Sequence, residues 1–272
     1  MTDSTPVHFF DILSDLPGPS KAWSPNTLKT RMTLNYKAIP YTQTYITYPD
    51  IAPLLISLSI PPHPKGAAHT PYTLPVICHP SVTSTPSGAL MNSFPIALHL
   101  EEQYPARTIF PSGNASYALA VAVDKLMQDA TMAGYTLLAP PIAEILDKPR
   151  GREFYIRTRS SGDMFGKPLG EVRPTDEEEV EGLVREMKRG MMPLLQMLKG
   201  KSGGKSGPYF EGDQPGYADF ICVAYLFWVK VADGKIWEEL MGLGDGEVKA
   251  LWYACYQWVE GQGEEKDWEI RQ

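Results

Sequence analysis

The spacing of apolar and polar positions changes along the chain and separates it into two halves. In residues 1–111 short apolar runs alternate with prolines, whereas in residues 112–272 apolar residues recur at helical spacing. The first half holds 17 of the 25 prolines and 12 charged residues, and the second holds 8 prolines and 45 charged residues. Because proline interrupts helices, the pattern predicts a mixed α/β first half and a helical second half. The boundary is predicted within residues 105–116, where proline, glycine and serine cluster.

The first half is predicted to fold in the order strand, helix, strand, loop, strand, strand, helix. Runs that are apolar or rich in β-forming residues predict strands at residues 7–13, 41–48, 74–78 and 88–91. Helices are predicted at residues 24–37, where Pro25 suits the first turn, and at residues 92–103, with Ser93 as N-cap. The proline-rich stretch 49–73 is predicted to be a long loop.

The second half predicts helices joined by short connections. Apolar spacing predicts them at residues 115–138, from Thr175 onward, at residues 217–231 and at residues 246–259. The helix that opens near Thr175 begins with a capping box, and Gly190 and Pro193 are expected to kink or split it. The run 217–231 is almost wholly apolar, which indicates a buried helix. The Gly/Ser/Lys stretch 201–207 predicts a flexible loop.

Composition narrows the classes of function. The net charge is −7, with 43% hydrophobic and 21% charged residues, which is typical of a globular protein and unfavourable for general nucleic-acid or anionic-membrane binding. The apolar stretch 220–229 is too short to span a bilayer. Three distant cysteines indicate a reducing compartment, and the five histidines lack the spacing of a ligand pair, so no metal site is expected.

Three short motifs in the first half are candidates for chemistry. Ser24 opens a helix in WSPNTLKTR, and Asn92-Ser93 opens another, and helix N-termini favour anionic groups. Each serine also has an ordinary interpretation as a helix cap. The motif Leu74-Pro75-Val76 opens a strand. Its peptide bond is left open between cis and trans, and in the cis case Val76 could offer backbone groups to a bound peptide.

The order and spacing of these motifs resemble the thioredoxin-like domain of cytosolic glutathione transferases. The helical half resembles their all-α C-terminal domain, and GDQPGYADF at 212–220 is similar to the family's segment before its buried helix. The resemblance implies a thioredoxin-like glutathione-binding domain at 1–108 and an all-helical domain at 115–272. The WSPNTLKTR run and the loop at 49–73 look most like fungal glutathione transferases related to bacterial etherases.

The resemblance also implies a set of glutathione contacts. The Ser24 hydroxyl would stabilise the glutathione thiolate, with Asn26 and Thr27 as alternative donors. The glutathione-binding residues implied are Pro75, Val76, Asn92 and Ser93. The family usually has an acidic residue where this chain has Asn92, so the affinity for glutathione is expected to be modest. Serine in place of cysteine at position 24 favours conjugation, or ether or peroxide cleavage, over disulfide reduction.

The second substrate is expected to be a hydrophobic, aromatic electrophile. Its pocket is implied to be lined by Trp23, Tyr117, Met127, Met132 and Tyr135. The resemblance further implies a cytoplasmic homodimer that uses glutathione and no metal, in detoxification. Two alternatives remain, a ligandin that holds aromatic small molecules with little turnover and an interaction module in a larger complex. Turnover of a model electrophile separates the first of these from a transferase.

Overall fold

The computed structural model describes residues 7–66, 70–201 and 205–270. The chain forms two compact units. The first unit takes the described residues up to Arg107, the segment Leu146–Phe154 and the described residues from Trp258, and the second takes Thr108–Ile145 and Tyr155–Gln257. A single cut near residue 110 therefore does not describe the division, because two later segments belong to the first unit. Part of the predicted loop 201–207 lies outside the described residues.

The first unit is built on a mixed five-stranded sheet. Its strands are β1 Val7–Ile12, β2 Tyr41–Ile46, β3 Val76–Cys78, β4 Ala89–Met91 and β5 Glu264–Glu265. They lie in the order β4-β3-β1-β2-β5, with β1 parallel to β2, β2 parallel to β5, and β3 antiparallel to both of its neighbours. The helices are α1 Pro25–Tyr36, α2 Ile51–Ser57 and α3 Ser93–Gln103. An apolar cluster that includes Phe9, Leu34, Ile77 and Leu100 forms the core of this unit.

Helix α2 corrects the prediction of an unbroken loop at 49–73. A 3-10 turn at Tyr48–Asp50 leads directly into it. Pro53 lies in its first turn, where the missing backbone donor costs no helical hydrogen bond. Ile51, Leu54 and Leu55 are buried on one face. The helix is stabilised by this burial, which the density of prolines in the sequence concealed.

The last segment of the chain extends the sheet. Glu264 and Glu265 pair with β2, and the Lys266 N–H donates to the Gln43 carbonyl at 2.8 Å. The Trp268 ring lies 4.6 Å from the His8 ring. No strand was predicted here, because two glutamates carry no apolar pattern and the pairing uses backbone groups alone.

The second unit is helical, with differences from the predicted boundaries. The remaining helices of the chain are α4 Asn114–Ala133, α5 Tyr135–Ile145, α6 Arg150–Arg159, α7 Glu177–Lys199, α8 Tyr217–Ala232, α9 Gly234–Met241 and α10 Glu247–Val259. The helix predicted at 115–138 is two helices separated at Gly134, and α6 and α9 were not predicted. Helix α8 is buried along nearly its whole length, as its composition indicated. No helix in the described part of the chain has the length and apolar character needed to cross a membrane.

Helix α7 is continuous and is therefore not split at Gly190 or Pro193. It begins after Asp176, whose carboxylate accepts the Glu179 N–H at 2.9 Å, and runs through Gly190 and Pro193. A Cβ built on Gly190 would lie 2.9 Å from both Cα and Cβ of Ala130. The glycine therefore permits close packing of α7 against α4, and its role is steric.

Candidate functional site

The sheet brings the three sequence motifs to one end. Val76 lies opposite Phe10 of β1 and Met91 of β4, so β1 ends where β3 begins and where β4 ends. Because β1 and β2 are parallel, α1 must return the chain from this end to the start of β2. Helix α3 starts directly after β4. The N-termini of α1 and α3 therefore lie at the same end of the sheet, where their dipoles favour negative charge.

Ser24 occupies the N-cap position of α1 without using its hydroxyl as a cap. Its backbone has extended angles and its side chain makes no capping hydrogen bond. The Ser24 carbonyl accepts the Leu28 N–H at 2.9 Å, which is the first helical bond. The side chain is 5% exposed. A hydroxyl at a helix N-terminus that is not engaged in capping can donate to an anion placed there.

The two alternative donors differ in their surroundings. Asn26 is exposed in the first turn of α1. Thr27 is fully buried, and its hydroxyl donates to the Ser24 carbonyl at 3.2 Å. The hydroxyl of Thr27 therefore faces into the unit and is not available to a ligand, contrary to the prediction for that residue.

The strand that begins after Pro75 is joined to the start of α3. The Leu74–Pro75 peptide bond is cis, which resolves the choice that the sequence left open. The Pro75 carbonyl accepts the Asn92 N–H at 3.1 Å. Val76 is fully buried between β1 and β4. The second and third motifs thus share a direct backbone contact.

Asn92, rather than Ser93, is the N-cap of α3. Its carbonyl accepts the Ile96 N–H at 3.0 Å, and its side chain makes no capping hydrogen bond. Its φ of +81° lies in a region that asparagine tolerates better than most residues. Ser93 is the first helical residue and is half-buried. Neither side chain is tied up by the cap, so both stand at the helix N-terminus.

The residues predicted to line the second pocket have different environments. Trp23 in the first unit is 4% exposed, and its indole Nε1 has no hydrogen-bond partner among the described residues. In the second unit Tyr117 and Met132 are 44% and 48% exposed on α4. Met127 on the same helix has no exposed surface, and the Cys222 thiol lies 3.8 Å from its sulfur. Met127 is therefore a core residue, which corrects the prediction for that side chain.

Tyr135 belongs to an aromatic group that the sequence did not reveal. Its ring is stacked on Phe165 with centroids 5.4 Å apart, and it lies 6.2 Å from the ring of Trp228. Phe165 lies in a connection and Trp228 on the buried helix α8, so no spacing in the sequence relates the three. Tyr135 and Phe165 are half-buried and form an aromatic pair of the kind on which aromatic compounds stack, whereas the Trp228 ring is buried and tilted by 52° against Tyr135.

A buried polar cluster lies beneath the N-terminal turns of α1. The Arg31 guanidinium Nη2 donates to the Tyr45 hydroxyl at 2.6 Å and to the Gln43 side-chain oxygen at 3.3 Å, and it lies 3.4 Å from the Asp11 carboxylate. The side chains of Asp11 and Arg31 are both fully buried. Burial raises the pKa of Asp11, while Arg31 and a hydrogen bond from Thr27 oppose that rise. The sequence signal for the cluster was an aspartate within an otherwise apolar strand.

Histidine and cysteine side chains supply little further reactivity. His79 Nδ1 and His99 Nε2 lie 3.0 Å apart, a contact that their sequence separation did not predict. In the described part of the chain no three His, Cys, Asp or Glu side chains form a group that could hold a metal ion. Burial raises the pKa of Cys78 to about 11, so its thiol is protonated at neutral pH. Cys78, Cys222 and Cys255 are all free.

Comparison with known proteins places this architecture in a family. A family model for the glutathione S-transferase C-terminal domain matches residues 118–258. The glutathione S-transferase-like protein ustS of Aspergillus flavus is 56% identical over 100% of this chain and 97% of its own. A glutathione S-transferase of Ceriporiopsis subvermispora, solved in complex with glutathione, superposes with a TM-score of 0.79 at 30% identity, over 93% of this chain and 98% of that one. Glutathione transferase GSTFuA3 of Phanerochaete chrysosporium superposes with a TM-score of 0.79 at 27% identity, over 94% of this chain and 98% of that one.

These matches confirm the predicted architecture, an α/β thioredoxin-like domain followed by an all-α domain. The chain belongs to the glutathione transferase family.

Proposed function

We propose that this protein transfers glutathione to a hydrophobic electrophile and that Ser24 stabilises the reacting thiolate. The observation that carries the proposal is the Ser24 hydroxyl, which stands at the N-terminus of α1 without capping it. It lies at the sheet end that also presents Pro75–Val76 and the N-terminus of α3. A thiol has an ordinary pKa of about 8.5, and hydrogen bonds to the charged form lower that pKa.

The remaining contacts follow the shape of the peptide. Glutathione has two carboxylates, an amine and a thiol. In the proposed complex Val76 pairs with its backbone as an added strand would, and Asn92 and Ser93 hold the γ-glutamyl end. Asn92 is uncharged, so the α-amino group of glutathione gains a hydrogen bond there and no ion pair. This difference from the usual acidic residue predicts modest affinity.

The chemistry of the step follows from the absence of cysteine at position 24. The glutathione sulfur attacks the electrophilic carbon, a carbon–sulfur bond forms, and the leaving group departs with the bonding electron pair. Serine cannot form a mixed disulfide with glutathione, and the raised pKa of Cys78 prevents that residue from taking over the role. Conjugation, or thiolate-driven ether or peroxide cleavage, is therefore expected over disulfide reduction.

The electrophile is proposed to be flat and aromatic. The exposed Met132 near the end of α4 and the Tyr135 ring on Phe165 are proposed to contact such a compound in the second unit. Tyr117 lies fifteen residues from Met132 on the same helix, about 22 Å away, and would not contact the same molecule. A homodimer and a cytoplasmic location complete the proposal. Sedimentation of the purified protein checks the first, and fractionation of the source cells checks the second.

The decisive experiment measures the pKa of the bound glutathione thiol. Calorimetry gives the affinity, and a thiolate absorbance titration of the saturated complex gives the pKa, for the wild type, for Ser24→Ala and for the control Ser57→Ala. Ser57 is the last residue of α2, outside the three motifs of the site, and its hydroxyl donates to the Leu54 carbonyl at 2.7 Å. The wild type and Ser57→Ala are expected to lower the thiol pKa by about one to two units, and Ser24→Ala to lose most of that shift.

The other possible results of the binding and thiol pKa measurements lead to different conclusions. An unchanged thiol pKa in Ser24→Ala would remove Ser24 from the mechanism. Binding without any thiol pKa shift in the wild type would favour the ligandin, for which the uncharged Asn92 is the supporting observation. The absence of glutathione binding would exclude the proposed glutathione chemistry and leave the fold assignment standing.

A further inference from the structure

Thr27 connects the proposed catalytic turn to the interior of the first unit. It lies three residues after Ser24 on α1 and is fully buried, and its hydroxyl donates to the Ser24 carbonyl at 3.2 Å. The same hydroxyl lies within hydrogen-bonding reach of the Asp11 carboxylate. A threonine hydroxyl has one hydrogen, so the Ser24 carbonyl and the Asp11 carboxylate share it as the two acceptors of a three-centre bond.

Asp11 is itself held at a fixed place in the sheet. It lies on β1 opposite Tyr45 of β2, and one of its carboxylate oxygens accepts the Ile12 N–H at 2.7 Å. The other oxygen faces the Arg31 guanidinium at 3.4 Å. A fully buried carboxylate with these partners cannot move without exposing an unpaired charge to an apolar surrounding.

Arg31 closes the connection from the other side. It lies four residues after Thr27, so both side chains project from the same face of α1. The Arg31 guanidinium reaches Gln43 and Tyr45 on β2. Its Nε and Nη1 atoms have no hydrogen-bond partner within the ranges that the structure describes. The helix is thereby held against two strands through side chains placed directly behind its first turn.

We infer that Thr27 is a positioning residue for thiolate stabilisation, because it ties the Ser24 carbonyl to the buried Asp11–Arg31 pair and fixes the first turn of α1. The inference rests on the proposed role of Ser24. Stabilisation of a charge by a hydroxyl and by backbone N–H groups depends on their placement, and a displacement of about 1 Å can cost as much as 100-fold in rate. Loss of the Thr27 hydroxyl should therefore alter the bound thiol and the chemical step more than the binding of glutathione.

The chain offers a matched control on the same helix. Thr33 is also fully buried on α1, and its hydroxyl donates to the Lys29 carbonyl at 2.9 Å. The two threonines share residue type, helix, burial and kind of acceptor. They differ in that Thr27 contacts the Ser24 turn and Asp11. Thr27→Val and Thr33→Val both remove a hydroxyl while keeping the shape of the side chain.

The experiment compares the wild type, Thr27→Val, Thr27→Ser and Thr33→Val. The bound thiol pKa is read from thiolate absorbance, and kcat and the KM for glutathione are measured with a chlorodinitrobenzene. Thr27→Val is expected to raise the bound thiol pKa by about half a unit to one unit and to lower kcat at neutral pH about three- to tenfold, with KM changed less than twofold. Thr27→Ser keeps the hydroxyl and should restore both values, and Thr33→Val should match the wild type.

The outcomes separate this inference from the proposed function. If the wild type lowers the thiol pKa and Thr27→Val has the same thiol pKa and kcat as the wild type, the positioning role of Thr27 is overturned and the proposed function stands. Equal losses in Thr27→Val and Thr33→Val also overturn it, since the effect would then follow from any buried hydroxyl of α1. A wild type that does not lower the thiol pKa overturns both. If Thr27→Val does not fold, Thr27→Ala repeats the test with a smaller side chain.

Discussion

The two units place their charged groups in opposite ways. The first unit buries Asp11, Lys29, Arg31 and Lys37, although residues 1–111 contain only 12 charged residues. In the described part of the second unit Asp219 is the one buried charged side chain, although residues 112–272 contain 45. A count of charges along the sequence therefore predicts surface helices well and says little about which charges are interior.

The difference follows from how the two units are built. Neighbouring strands bring side chains from distant parts of the chain to one point, so Asp11, Arg31 and Gln43 meet in one buried cluster. A helix instead buries one stripe and leaves its charges on the opposite face. Asp219 is an exception at a helix start, where its carboxylate accepts the Gly216 and Phe210 N–H groups at 2.7 and 2.8 Å. Burial raises the pKa of Asp219 to about 7, although the two N–H donors act to lower it.

The strongest test of this comparison removes one partner of the buried pair. Asp11→Ala leaves the Arg31 guanidinium buried without its counter-charge, and we expect the free energy of unfolding to fall by about 3–5 kcal/mol. Urea denaturation followed by circular dichroism measures the loss. The control Asp129→Ala removes an exposed carboxylate paired with Lys125 on α4 and should cost less than about 1 kcal/mol. If the free energy of unfolding falls by the same small amount in both variants, the buried pair is worth no more to stability than an exposed one.

The corresponding test in the second unit is steric. Gly190→Ala places a Cβ 2.9 Å from Ala130, so we expect a loss of about 1–3 kcal/mol from overpacking between α4 and α7. Gly182→Ala on the same helix meets nothing closer than the end of the Arg185 side chain at 3.7 Å. It should raise stability by about 0.5–1 kcal/mol through helix propensity. Thermal unfolding distinguishes the two, and a destabilised Gly182→Ala would contradict the steric explanation.

The smallest expected effect concerns pH. All five histidines lie within residues 1–107, so histidine-linked stability belongs to the first unit. Burial, and then the charge of Lys266, lower the pKa of His8 from 6.5 to about 4. The unfolded chain therefore takes up a proton first as the pH falls, and the contribution of His8 is full above pH 6.5 and lost between 6.5 and 4.

The measurement for His8 compares free energies of unfolding at pH 7, 5.5 and 4. We expect the wild type to lose about 1–2 kcal/mol more than His8→Gln across this range, because the buried ring is bonded to the Thr42 and Thr44 hydroxyls at 2.7 and 3.0 Å. Glutamine keeps hydrogen-bonding groups and does not titrate. Parallel pH profiles for the two proteins would exclude His8 as the source.

The sequence predicted the elements whose burial follows a regular period. The strands at residues 7–13 and 41–48, the apolar helix at 217–231 and the motifs at Ser24, Pro75 and Asn92 all carry local signals. On α4 the helical period was recognised, but the sequence did not establish which face is buried. Val121 and Met132 are exposed, while Val123 and Met127 are buried, because the helix packs against α7 and α8.

The features that were missed depend on contacts across the chain. Helix α6 carries four arginines and no fully apolar face, so its sequence resembles a solvated connection. Thr27 was predicted to face a ligand, and the structure directs its hydroxyl inward because Asp11 and Arg31 lie behind α1. The Tyr135–Phe165 stack joins residues thirty positions apart with no spacing rule between them.

The short strand β5 also protects the sheet from pairing with other molecules. Without it the outer edge of β2 would present the run YTQTYI, which is uncharged, free of proline and rich in β-forming side chains. Such a run with open backbone groups is a template for intermolecular strand addition and fibril growth. Glu264 and Glu265 cover part of that edge through backbone pairing with Thr42 and Gln43. Variants shortened before residue 264 should therefore precipitate more readily.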